Sequence, residues 1–159
     1  MNSPQKILAI FEREIELFTL LLQKFQAEKE ILKKRDTDAL NLLQAEKAPI
    51  VEELENLQKE CIGIMAESGF KDSLKDIENY FLQQPASIQK ALRDTWQQLV
   101  TLGEKCRMEN LTIGGIVELN RLQIETALGI LRGSKGITTG YNTKGRLNKD
   151  CISQTLAKA

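Results

Sequence analysis

The sequence predicts an all-α protein. The expected architecture is an elongated antiparallel helical bundle: an N-terminal helical hairpin, a short connector helix, one long C-terminal helix and a flexible C-terminal tail. Three observations predict it. Apolar residues recur at steps of three and four along most of the chain, the spacing that gathers side chains on one face of a helix. Of the 159 residues 28% are charged and only 5% aromatic, a balance typical of long solvated helices. The composition then changes abruptly after Gly133, which divides the chain into a helical region, 1–133, and a basic tail, 134–159.

The first stripe is Phe11, Ile15, Phe18, Leu22, Phe25 and Leu32, with Lys29 at the missing step. It predicts a helix from about residue 4 to 34. Pro4 sits where a helix start tolerates a residue without an N–H. The second stripe is Leu40, Leu43, Lys47, Ile50, Leu54, Leu57, Cys61 and Ile64, a heptad seam that expects a helical partner. Lys47 is its one charged member and is expected to carry its head to solvent along an aliphatic stem. Pro49 removes one backbone hydrogen bond and predicts a kink. Between the stripes, Asp36, Thr37 and Asp38 are good N-cap residues, which points to a tight turn and an antiparallel hairpin. One continuous helix is the alternative, because neither glycine nor proline marks the turn.

Gly69 is a plausible helix stop. A short helix follows through Phe81, with Leu74, Ile77 and Phe81 on its inner face. The last and longest helix is expected from about Pro85 to Arg132. Its seam reads Leu92, Trp96, Leu99, Gly103, Cys106, Asn110, Ile113, Val117, Asn120, Ile124, Ala127 and Leu131. Asn110 and Asn120 interrupt it, as polar residues that set register do. Gly114 and Gly115 cost about 1 kcal/mol each relative to Ala inside a helix, which predicts close backbone approach by a neighbouring helix or a partner. The tail holds Lys135, Lys144, Arg146, Lys149 and Lys158 against Asp150 alone. It cannot bury enough surface to fold by itself, yet it carries the apolar residues Ile137, Tyr141, Leu147, Ile152 and Leu156. Such anchors among polar residues suit a segment that folds on binding a partner.

Charge and chemistry exclude several functions. Basic and acidic residues number 22 each, so the formal net charge is zero, and no global field draws nucleic acid or an anionic membrane. The chain has no histidine, hence no Ser-His-Asp triad, no Cys-His pair and no ordinary zinc enzyme site. No phosphate-cradling loop and no HExxH or GxSxG motif occurs. Neither enzymatic activity nor a cofactor or metal is expected. Cys61, Cys106 and Cys151 are too widely spaced for a disulfide framework. Cys61 and Cys106 lie on apolar stripes and read as buried hydrophobes, while Cys151 reads as an exposed reduced thiol. Glu12, Arg13, Glu14 and Glu16 interrupt the N-terminal apolar residues, unlike a secretory signal, and no window approaches a membrane span. A cytoplasmic protein is expected.

The stretch EKEILKKRDTDALNLLQAEKAPIVEELENL, residues 28–57, resembles the N-terminal signature of the FlgN family of flagellar export chaperones. The matching positions are Glu28, Leu32, Asp36 with Asp38, Leu40 with Leu43, and Glu46 with Lys47. A second stretch, CRMENLTIGGIVELNRLQIETALGILRG at 106–133, is similar to the family's Asn-rich segment and the helix that follows it, with Asn110 and Gly114 in the expected places. Tyr141 with Gly145 matches a third motif. The chain departs from the pattern at Ile113, where the family often has Asn before the glycine. The resemblance implies a cytoplasmic chaperone of flagellar type III secretion whose clients are hook-filament junction proteins, FlgK-like and FlgL-like, bound through their C-terminal helical segments. It also implies a role for Tyr141 in contacting the export gate protein. On this reading Ile124, Leu128, Leu131, Leu147, Ile152 and Leu156 are candidate client contacts, while Lys47, Asn110, Gly114, Gly115 and Asn120 serve packing and register. The alternatives are a self-associating coiled-coil scaffold or other helical adaptor and, less in keeping with the charge balance, a nucleic-acid-binding helical protein using its tail.

Overall fold

A computed structural model describes residues 2–71 and 73–131. It contains four helices and, among the described residues, no strand: α1 (Ser3–Lys34), α2 (Thr37–Glu67), α3 (Ser73–Leu82) and α4 (Ala86–Leu131). The chain divides into two units, Met1–Glu109 and Asn110–Ala159. The expected tail lies outside the described residues, as do Cys151 and Arg132, where the last helix was expected to end.

Both ends of the α1–α2 hairpin follow from local chemistry. Asn2 caps α1: its side chain accepts from the Gln5 N–H, and the Gln5 side chain accepts from the Asn2 N–H in return. Such a reciprocal cap satisfies two of the donors a helix start leaves open. At the other end Arg35 adopts a left-handed conformation, φ 54°, and its N–H returns to the carbonyls of Ile31 and Leu32. Asp36 then caps α2 by accepting from the Ala39 N–H at 3.1 Å. The turn is therefore a real break, closed by an arginine where a glycine is usual. α2 continues as a helix through Pro49. Ser68 ends it, and Gly69 follows at φ 92°, a conformation that glycine adopts without steric cost.

The core of the first unit gathers the start of α1, the end of α2, α3 and the start of α4. Ile7, Phe11, Met65, Tyr80, Phe81 and Leu92 are fully enclosed there. Phe11 is the hub. Its ring meets Phe81 edge-on at 6.3 Å and Trp96 at 5.3 Å. Tyr80 keeps its polar tip satisfied by sharing a 2.8 Å hydrogen bond with the Ser3 hydroxyl, as a buried phenol requires.

Three expectations about the seams need correction. The buried face of α1 runs through Ile7, Phe11, Glu14, Leu17, Leu21, Phe25, Glu28 and Leu32; it shares Phe11, Phe25 and Leu32 with the predicted stripe and leaves it between them. Ile15, Phe18, Leu22 and Lys29 are only half-buried flanking residues, with Lys29 paired to Glu109. Second, Lys47 does not reach for solvent. Its ammonium donates to Glu28 at 2.6 Å and lies 5.1 Å from the centre of the Phe25 ring. Glu28 also accepts from the Gln44 amide at 2.7 Å, so a buried carboxylate lies in the hairpin seam with two donors. Third, Asn110 is exposed and does not interrupt a buried seam.

Candidate functional site

Among the described residues no group of three or more Cys, Asp or Glu is placed to hold a metal ion. Cys61 and Cys106 are buried free thiols. Burial pushes each up to about 11, so neither supplies the thiolate a nucleophile needs at neutral pH. The Cys106 thiol donates to the Phe18 carbonyl at 3.6 Å, which gives it a packing partner. No helix of the described residues is long and apolar enough to cross a membrane. Two apolar surfaces stand out among the described residues.

The first lies on α4 beyond residue 110. The helical row that buries Leu92, Leu99, Cys106 and Ile113 continues through Val117, Ile124 and Leu128. These three are exposed: Ile124 is 52% and Leu128 42% accessible. Leu111, Leu119 and Ile130 add exposed apolar area on the other sides of the helix. A helix with so much uncovered apolar surface needs polar fastening of its own. Arg121 supplies it by bridging Glu118 at 2.8 Å and also Glu125. The guanidinium holds the Glu118 carboxyl below its ordinary range. These pairs at i, i+3 and i, i+4 reinforce the helix along its axis.

Of the sequence-predicted binding residues, Ile124 and Leu128 stand on this face. Leu131 closes the helix. Tyr141, Leu147, Ile152 and Leu156 lie outside the described residues. Gly114 and Gly115 are exposed, and a Cβ added at either would meet nothing within 4 Å. Asn120 is half-buried.

The second surface belongs to residues 1–109 and was not legible in the stripes. A groove of about 360 Å³ runs between α2, over Gln58–Met65, and α4, over Trp96–Gly103. Phe11, Glu14 and Phe18 of α1 form its floor. Its lining is apolar apart from Gln58 and Glu14. Glu14 is only 4% accessible, and among the described residues its carboxylate has no hydrogen-bond or ion-pair partner. Desolvation raises it from the ordinary carboxylate range to about 7. Its neighbour Arg13 faces the other way, held by Glu53 at 2.7 Å and Glu16 at 2.8 Å. A sequence signal for the groove existed in Glu14 itself, an acid in step with Ile7, Phe11, Leu17 and Leu21, but acids on helices are ordinarily solvated.

The model of the FlgN family, described as FlgN protein, matches residues 1–149. No curated protein and no solved structure matches the chain.

Proposed function

The chain belongs to the FlgN family, a family of flagellar export chaperones, and on that premise we propose that it works in the cytoplasm, without enzymatic activity, on unassembled hook-filament junction proteins of the FlgK-like and FlgL-like kind. It covers their C-terminal helical segments, prevents premature assembly and delivers them to the export gate. The observation that carries this reading is the uncovered apolar row of α4, Val117, Ile124 and Leu128. A free junction protein has amphipathic terminal helices whose apolar stripe lacks its assembled neighbours. A helix presenting apolar residues at seven- and four-residue steps offers such a stripe a matching seam.

Leu131, seven residues after Ile124 in the sequence, is a further client contact on this reading. Leu147, Ile152 and Leu156 of the tail supply further client contacts, and Tyr141 contacts the gate protein. Ordering the tail costs about 1 kcal/mol or more per residue. That cost moderates the net affinity, which suits a client that must later be released.

The test is calorimetric titration of a junction-protein C-terminal segment into three forms of the chaperone. Truncation after Gly133 is expected to weaken binding. Ile124→Glu with Leu128→Glu is expected to weaken it further, since each apolar side chain buried contributes about 1.5–3 kcal/mol. Undiminished affinity of the truncated form removes the tail from the proposal. Undiminished affinity of the double variant removes the α4 face.

A further inference from the structure

The groove within residues 1–109 shares no residue with the α4 face assigned to clients. We propose that it is a docking site for an amphipathic helix of a partner protein that carries a lysine or arginine within its apolar ridge, the cation meeting Glu14. Four features select that occupant. The floor holds an enclosed carboxylate without a counter-charge, and no basic residue lines the walls. Folding has already removed most of the water around Glu14, so an incoming cation has little left to displace. Such preorganised charge raises both affinity and selectivity.

The walls are two helical stretches of matching length, each about two turns. Their lips carry exposed apolar residues: Ile62 on α2 is 49% and Val100 on α4 45% accessible. A small ligand in the floor would leave both lips wet, whereas a helix lying along the groove covers both. Gly103 opens the end of the α4 wall, because the space a Cβ would take there is empty within 4 Å. A ridge with residues at i, i+3 or i+4 and i+7 fits a groove of this length.

The molecule carries its own reporter. Trp96 is the one tryptophan of the chain and lines the groove, so its emission reads occupancy directly. The probe is a set of helical peptides sharing one leucine ridge, with a lysine placed at successive ridge positions, beside a neutral control with norleucine in place of the lysine. Titrations into the full chain at pH 8, where Glu14 is ionised, are followed by Trp96 emission. At least one lysine peptide is expected to shift the emission to the blue and to bind at least tenfold more tightly than the neutral control. Glu14→Gln abolishes that preference. Gly103→Leu fills the groove, folds without a clash at its Cβ, and loses the response to every peptide.

The proposal is overturned if no peptide moves the Trp96 emission, if the neutral control binds as tightly, or if Gly103→Leu binds as well as the parent. A Trp96 shift on raising the protein concentration alone, with a dimer mass by light scattering, assigns the groove to a second copy and also overturns it.

Discussion

Glu14 gives a stability prediction that can be read without any ligand. Its folded-state pKa of about 7 lies above the ordinary carboxylate value of 4.5 because burial penalises the charged form. Below pH 4.5 the group is protonated in both folded and unfolded chains and has no effect. As pH rises from 4.5 through 7 the unfolded chain releases the proton first, so the folded state loses relative stability. Above pH 7 the loss is complete. The difference corresponds to about 3 kcal/mol at 1.36 kcal/mol per pKa unit, and to about 2 kcal/mol where residual solvent screens the site. Glu14→Gln removes the titration and keeps the shape. Urea unfolding of both proteins at pH 4.5, 6, 7 and 8.5 reads the gap between them. It should widen in favour of the variant by about 2–3 kcal/mol from the lowest to the highest pH. The carboxylates held by arginine, such as Glu53 and Glu104, are common to both proteins and cancel. A gap constant across the series, or one that closes at high pH, refutes the claim that the Glu14 carboxylate is desolvated without a counter-charge.

The buried Glu28–Lys47 pair should behave asymmetrically. Lys47→Met alone leaves a buried acid without its cation and costs about 3 kcal/mol in urea unfolding, whereas Glu28→Leu with Lys47→Met is neutral or stabilising. An equal loss in both would count against this. Arg35→Gly should raise the unfolding midpoint, by about 1 kcal/mol, because the left-handed conformation is strained for any residue with a Cβ. A loss of stability there shows that the arginine side chain matters more than its backbone. Gly114→Ala and Gly115→Ala should each stabilise α4 by about 1 kcal/mol, as nothing crowds their Cβ positions. If they weaken client binding while stabilising the fold, the glycines serve a partner's close approach.

The element order and nearly every helix boundary were legible in the sequence, since caps such as Asp36 and breaks such as Gly69 act locally. The α2 seam was legible too. Leu43, Leu54 and Cys61 are buried on it, with Met65 joining at its end. The α1 seam was legible only in part: Phe11, Phe25 and Leu32 are buried as expected, but the row also contains Glu14 and Glu28, and a reading that assigns acids to solvent takes Ile15, Phe18 and Leu22 in place of Glu14, Leu17 and Leu21. Pair chemistry across helices decides such positions, and one helix's periodicity does not contain it. Tyr80 escaped for the same reason: the partner that satisfies its hydroxyl is Ser3, seventy-seven residues away. The candidate site was half legible. Ile124 and Leu128 were named from periodicity, but periodicity does not say whether an apolar face is covered. The groove arises only when α2 and α4 are placed over α1.

The two sides of α1 have very different contact order. Its pairing with α2 is local: Glu28 meets Lys47 across 19 residues and Lys24 meets Glu46 across 22. Its contacts with α4 are remote, as between Phe18 and Cys106 across 88 residues. Loop closure for the hairpin is correspondingly cheap, and long-range contacts form late in folding. The hairpin is therefore expected to assemble before the first half of α4 docks onto it. The first half of α4 is accordingly expected to open from the native state before the α1–α2 seam, at a free energy below that of global unfolding. Native-state amide exchange should show residues 92–106 opening before the α1–α2 seam, and equal protection in both would contradict this order. A member of a chaperone family thus holds the start of its longest helix less firmly than the hairpin it packs against.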